Sequence, residues 1–354
     1  MPFIRKWIRR ARQQPKPHRV GSTMARRAAA VVVALCALVP LHAAAQGAPD
    51  VVRYVDVPLQ DWLPFWVAQQ EDFGKRYNIE LKAVPITGGT QTAEFAASGN
   101  ADIATVAASL CLLAVKQELI PNRIVLVAPV GSSADPQHPF AGIIASDAIT
   151  SWKDLEGKTV AVHSTRSLFY TALVTRLGRE GVDVKKVNFV EIPLPQQVAA
   201  LKAGRVDAIM VGTDFAARAV ADHVGHLLDW VIGKPPFDRY NLAMLVANRA
   251  FADGKPAVLE NFLKTYMTAV KWIVDNPQRA KETAATKLGF KDPVIATGFL
   301  LENWDPTLTP NEGSQALDVE VMTGQGLISE PIDLGKYLTR MNMVADARHA
   351  VFGK

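Results

Sequence analysis

Five short loops carry the polar groups with which this chain can hold a ligand. Gln60, Asp61 and Trp62 follow an apolar run, Val51 to Val57, that ends at Pro58. Gly88, Gly89, Thr90 and Gln91 follow a second run, Ile79 to Pro85. Ala108 and Ser109 follow a third, Ser164, Thr165, Arg166 and Ser167 a fourth, and Thr213, Asp214 and Phe215 a fifth. Hydroxyls, carboxylates and an indole at strand ends suit recognition, because open α/β sheets bind ligands beyond the carboxyl ends of their strands. Ser164 to Ser167 precede a predicted helix, where free N–H groups and hydroxyls converge into an anion site. Asp61 and Asp214 point the other way, toward a cation or strong donor, since a buried carboxylate needs a partner. Arg218, four residues after Asp214, is an alternative partner for it on a helix. Each loop alone reads equally well as helix caps and turns; the five together point to a ligand cleft.

The residue types that make and break bonds are not arranged for it. His138, His163, His223, His226 and His349 are scattered, and His223 and His226 have no third ligand at a metal spacing. The sequence has no nucleophile elbow, no phosphate-binding loop and no dinucleotide fingerprint. We therefore expect no catalytic residue, no metal and no cofactor.

Two similar units position these loops. In Pro85 to Ser109 a helix from about Gln91 to Ser98 ends at Gly99, Asn100 to Asp102 turn, and a buried strand starts at Ile103. In Pro193 to Asp214, Pro195 suits the first helical turn, Gly204 the position after the helix, Asp207 ends the turn, and Ala208 to Val211 is the strand. Gly99 and Gly204 are separated by the same interval as Asp102 and Asp207, which predicts two similar lobes. Between and beyond them, strands alternate with helices, so parallel or mixed sheets are expected. The apolar spacing of Val258, Leu259, Phe262, Leu263, Tyr266, Val270, Ile273 and Val274 predicts a helix from Pro256 to Asp275.

The chain has 354 residues, 49% apolar and 21% charged, enough for two lobes. Its net charge of +5 is unevenly placed. Residues 1–46 hold nine Lys and Arg and no Asp or Glu, and setting those nine aside leaves −4. Arg26-Arg27, the apolar stretch Ala28 to Val39 and the small residues His42 to Ala45 read as a secretory signal cleaved near Ala45, with Met24 a possible true start. The expected location is the periplasm. No nucleic-acid partner is expected, because the basic residues belong to that segment. The mature chain keeps one cysteine, Cys111, read as a buried apolar residue.

Gly88-Gly89-Thr90 before a helix, the turn Ala97 to Ile103, the stretch Asp154 to Val162 and the turn Ala203 to Ala208 together resemble the periplasmic substrate-binding proteins of ABC importers. The resemblance is to the nitrate, sulfonate and taurine group, which includes thiamin-pyrimidine binders, and it covers roughly Val52 to Asp275. It implies a type II two-lobe periplasmic-binding-protein fold, α/β, with mixed sheets flanked by helices and the ligand clamped between the lobes. Lobe 1 is expected at residues 47–145 plus 240–354 and lobe 2 at 146–239, joined near Ala145 to Lys158 and Gly233 to Asn241. The ligand-binding set is expected to be Gln60, Asp61, Trp62, Gly89, Thr90, Ala108, Ser109, Ser164, Thr165, Thr213 and Asp214. The implied partner is an ABC permease in the inner membrane, and the binder itself is expected to be a monomer. The implied ligand is a small anionic or zwitterionic solute of the sulfonate or taurine kind, the alternatives being a thiamin-pyrimidine precursor or an enzyme on the same fold. In taurine-type members an acid follows a Trp after the second-lobe strand. Here Val211-Gly212-Thr213-Asp214-Phe215 has no Trp, and the resemblance does not place Arg166.

Overall fold

Hydrophobic runs set the longer strands of the computed structural model, which describes residues 47–86, 91–238, 240–291 and 298–353. In chain order the strands are β1 (Asp50–Asp56), β2 (Ile79–Pro85), β3 (Ile103–Ala107), β4 (Ile124–Pro129), β5 (Ser132–Ala134), β6 (Ala141–Ala145), β7 (Thr159–Val162), β8 (Asn188–Glu191), β9 (Ala208–Gly212), β10 (His226–Ile232), β11 (Tyr240–Asn241), β12 (Ala243–Asn248) and β13 (Asn303–Trp304). β4 and β6 are buried along their whole length, as continuous apolar runs covered on both faces must be.

Two five-stranded mixed sheets result. The first has the order β2-β1-β3-β12-β4 and the second β10-β6-β9-β7-β8. β1 runs parallel to β2 and β3, and β12 enters antiparallel between β3 and β4. In the second sheet β7 is parallel to β8 and β9, and β6 is antiparallel to β9 and β10. Each sheet has its own hydrophobic core. In the first, Phe65 stacks on Tyr54 at 4.5 Å and meets Tyr266 edge-on at 5.2 Å. Tyr266 belongs to the helix Pro256–Asp275, which has the limits that the sequence predicts.

The internal repeat has an atomic basis. Gly99 and Gly204 follow their helices with φ of 78° and 64°, a conformation that other residues rarely adopt. Asp102 then accepts the Arg53 N–H at 2.8 Å, and Asp207 accepts the Thr159 N–H at 2.8 Å. Each aspartate thus pins the turn to the neighbouring parallel strand.

The chain passes from the first sheet to the second between Pro129 and Ala141 and returns between Ile232 and Ala243. The first passage lies earlier than the expected 145–158, and β6, placed by sequence at the end of lobe 1, pairs within the second sheet. An apolar AGIIA run states that a strand is buried, but not which sheet receives it. A small third sheet, β11-β5-β13, gathers both passages: β5 pairs with β11 on one side and β13 on the other. The helix Glu312–Gly324 bridges the two cores. Its Val321 joins the second core and its Met322 the first.

Candidate functional site

A cavity opens where the two sheets face one another. The first sheet and its loops supply Leu59, Asp61, Trp62, Thr105, Ala107 and Leu110, the second supplies Phe140, His163, Ser167, Leu168 and Phe169, and Leu242 comes from the return passage. Its volume is about 60 Å³, room for roughly five waters. Ligand pockets usually measure a few hundred Å³. Entry of an organic solute therefore requires the sheets to separate.

After β1 the chain makes a 3-10 turn, Gln60–Trp62, that buries all three side chains. Trp62 donates its indole N–H to the Val55 carbonyl, which fixes the ring against the strand it has just left. On the far wall Phe169 meets both Phe140 and His163 edge-on, at 5.4 and 5.0 Å. Burial holds the His163 imidazole neutral, lowering its pKa to about 4. Its Nδ1 and the Thr105 hydroxyl are buried and make no hydrogen bond among the described residues.

Asp61 is buried and accepts from the Ser132 hydroxyl of β5 at 3.2 Å. Glu302, which precedes β13, faces Asp61 and Ser132, although neither of its oxygens reaches ordinary hydrogen-bond geometry. Burial drives both carboxyls above the usual range, and Glu302 further because the Asp61 charge faces it. Asp214 adds a third negative group to the surroundings of Glu302.

The other predicted site residues have definite places. Gln60 donates its amide to Thr213 Oγ1 at 2.8 Å and to the Leu300 carbonyl at 3.2 Å, and Thr213 donates to the same carbonyl at 2.8 Å. These bonds tie the two sheets and the C-terminal segment together. Asp214 turns back onto its own helix, accepting the Phe215 N–H at 2.8 Å, and burial raises its pKa to about 6. Gly212 makes this possible, since a Cβ there would lie 2.7 Å from Asp214 Oδ1. The alternative partner, Arg218, does not pair with Asp214: it pairs with Asp222 at 3.6 Å.

Ala108 and Ser109 begin the helix Ala108–Lys116 but do not line the cavity. The Ser109 hydroxyl faces Tyr240, whose phenol donates to the buried Asp318. Ser164 and Thr165 also stand outside the cavity wall. Thr165 directs its N–H and hydroxyl to Glu191, each at 2.6 Å, so a carboxylate of the chain itself takes the donors expected for an anion. Ser167 caps the following helix by accepting the Tyr170 N–H at 3.3 Å, and it does reach the cavity. Gly89 and Thr90 lie outside the described residues.

Of the expected set, Asp61 and Trp62 line the cavity and Ser164 and Thr165 do not, whereas His163, Phe140 and Phe169 of the wall, and Glu302 beside it, lie outside that set. Glu302 does leave one trace, an acid directly after the apolar run Phe299 to Leu301.

Comparison with known proteins agrees with this architecture. The chain is 25% identical over 248 residues, 67% of this chain and 71% of the relative, to a formylaminopyrimidine-binding protein of Halalkalibacterium halodurans. The periplasmic aliphatic sulphonate binding protein SsuA of Escherichia coli superposes with a TM-score of 0.64 at 18% identity, over 82% of this chain and 92% of that one. The desulfurization enzyme DSZB superposes with a TM-score of 0.63 at 16% identity, over 85% and 99%. The fold is that of the periplasmic binding proteins. The model of the NMT1/THI5-like family matches residues 60–280, well over half of the sequence, and the chain belongs to that family.

Proposed function

We propose that this protein is the extracytoplasmic solute-binding component of an ABC importer, and that its ligand is a small, flat, amino-bearing solute of the aminopyrimidine class. The carrying observation is the composition of the cavity. Aromatic and aliphatic side chains make most of its wall, Asp61 is its one carboxylate, and no lysine or arginine lines it among the described residues. Once the sheets separate, a planar ring would lie between Trp62 and the Phe140–Phe169 wall, with its amino group donating to Asp61. His163 Nδ1 and the Thr105 hydroxyl are buried groups still open to a partner. An anionic head group would meet Asp61 without a counter-charge, so the sulfonate and nitrate end of the family is the less well supported. The relative that binds formylaminopyrimidine supports the same class.

The two sheets with their helices serve as lobes that close on the ligand about the passages gathered by β5, β11 and β13. Delivery is to an inner-membrane permease, with residues 1–46 acting as the export signal. No chemistry on the ligand is proposed, although an enzyme with this fold makes turnover worth measuring.

Thermal-shift and calorimetric titration with 4-aminopyrimidine, its N-formylated derivatives, taurine, ethanesulfonate and nitrate test the reading. A ligand at a hundred times its Kd adds about 2.7 kcal/mol of stability. Stabilisation by aminopyrimidines, with the ligand recovered unchanged, is expected. Stabilisation by ethanesulfonate or nitrate and not by any aminopyrimidine would refute it.

A further inference from the structure

Asp61 does not stand alone at the cavity. The crossing strand β5 brings Ser132 to it, and β13, paired to β5 at Trp304↔Ser132, brings Glu302. Both carboxyls are buried, at 7% and 3% exposure. Around them stand Asp214, the Tyr266 phenol, which donates to the Val130 carbonyl at 2.9 Å, and, across the cavity, the neutral His163. Among the described residues, none of the groups that chiefly perturb either carboxyl is a cation. Two facing carboxylates without a counter-ion cannot both ionise in such a place. They titrate as a pair rather than as two independent groups.

We propose that Glu302 is a specificity-determining residue that acts through Asp61: the two carboxyls share one proton across the crossing sheet, so that the cavity offers the ligand a single negative charge. This rests on the amino-ligand reading above and goes beyond it. The shared proton stays with Glu302 and leaves Asp61 as an acceptor aimed into the cavity. A neutral amino group or a monocation matches that acceptor. Acidification adds a second proton, the pair becomes neutral, and the acceptor is lost. Binding of amino-bearing ligands is therefore pH-dependent, and Glu302 sets the pH at which it fails.

The test is the Kd of 4-aminopyrimidine between pH 5 and 8, measured by calorimetry on the wild type, Glu302→Gln and Glu302→Met. The ligand's own titration is common to all three. In the wild type the Kd rises about tenfold per pH unit below the titration of the pair. The glutamine amide stands in for the protonated Glu302, neutral and still a donor toward Asp61, so Glu302→Gln leaves that break near its wild-type pH. Methionine needs no hydrogen-bond partner and takes the donor away, so Glu302→Met moves the break to higher pH. A wild-type break in Glu302→Met, or a break in Glu302→Gln displaced by about one unit or more, overturns the proposal while leaving the ligand reading intact. Failure of the wild type to bind any aminopyrimidine overturns both.

Discussion

The buried Asp318 offers a quantitative check on the electrostatics of this fold. It sits on the bridging helix Glu312–Gly324, is 3% exposed, accepts from Tyr240 and has a second oxygen without a partner among the described residues. Burial raises its pKa from 3.8 to about 8, against the lesser opposing effect of the Tyr240 hydroxyl. The folded protein therefore binds this proton more tightly than the unfolded chain does. The associated stability is complete below about pH 4 and is lost as pH rises toward about 8. At about 1.4 kcal/mol per pH unit, the loss is several kcal/mol and at most about 6. Asp318→Asn removes the titration and keeps an oxygen for Tyr240. Urea unfolding of the two proteins should give stabilities within about 1 kcal/mol of each other near pH 4.5. By pH 8.5 the wild type should have fallen below the variant by several kcal/mol. Curves that stay parallel across this range would refute the reasoning, because they would mean that Asp318 is solvated or paired in the folded state.

Two further substitutions probe the frame. Phe65→Ala, which removes the ring stacked between Tyr54 and Tyr266, should cost about 3–5 kcal/mol in chemical denaturation, with little loss if the first core repacks. Asp102→Ala and Asp207→Ala should each cost about 1–3 kcal/mol although they lie in different sheets, Asp102 the more because it also holds the Arg53 guanidinium at 2.7 Å. A loss confined to one of them would show that the repeat is one of shape rather than of interaction.

What the sequence disclosed was what neighbours along the chain decide. The glycine that ends a helix, the aspartate that closes the following turn and the strand after it lie within a few residues, and both copies fold as read. Gln60 to Trp62 were legible for the same reason, as a polar turn directly after a strand. The misplaced features depend on distant partners. β6 is assigned to a sheet only by its pairing with β9 and β10. Glu302 enters the site through β13, a strand of two residues whose pairing with β5 has no periodic signature. Arg218 stands at the right helical spacing for Asp214, yet the carboxylate turns to the N–H groups at the start of its own helix, which are nearer and already buried with it. The expected anion site at Ser164 and Thr165 was a sound reading of donors. Nothing near them in the chain shows that β8 ends in Glu191 beside them.

The interleaving of the two sheets has a consequence for how the chain acquires its structure. Every strand of the second sheet lies between residues 141 and 232, so that sheet can be completed as a continuous segment. The first sheet cannot. Its fourth member, β12, inserts between β3 and β4 but comes after the whole second sheet in sequence. Until residue 248 is available, β3 and β4 lack the strand that joins them, and their edges stand open. Closing that gap spans a long loop and is intrinsically slow. An arrest or truncation between residues 232 and 248 should leave one finished sheet beside one with a gap at its middle, a species with exposed strand edges and a strong tendency to self-associate.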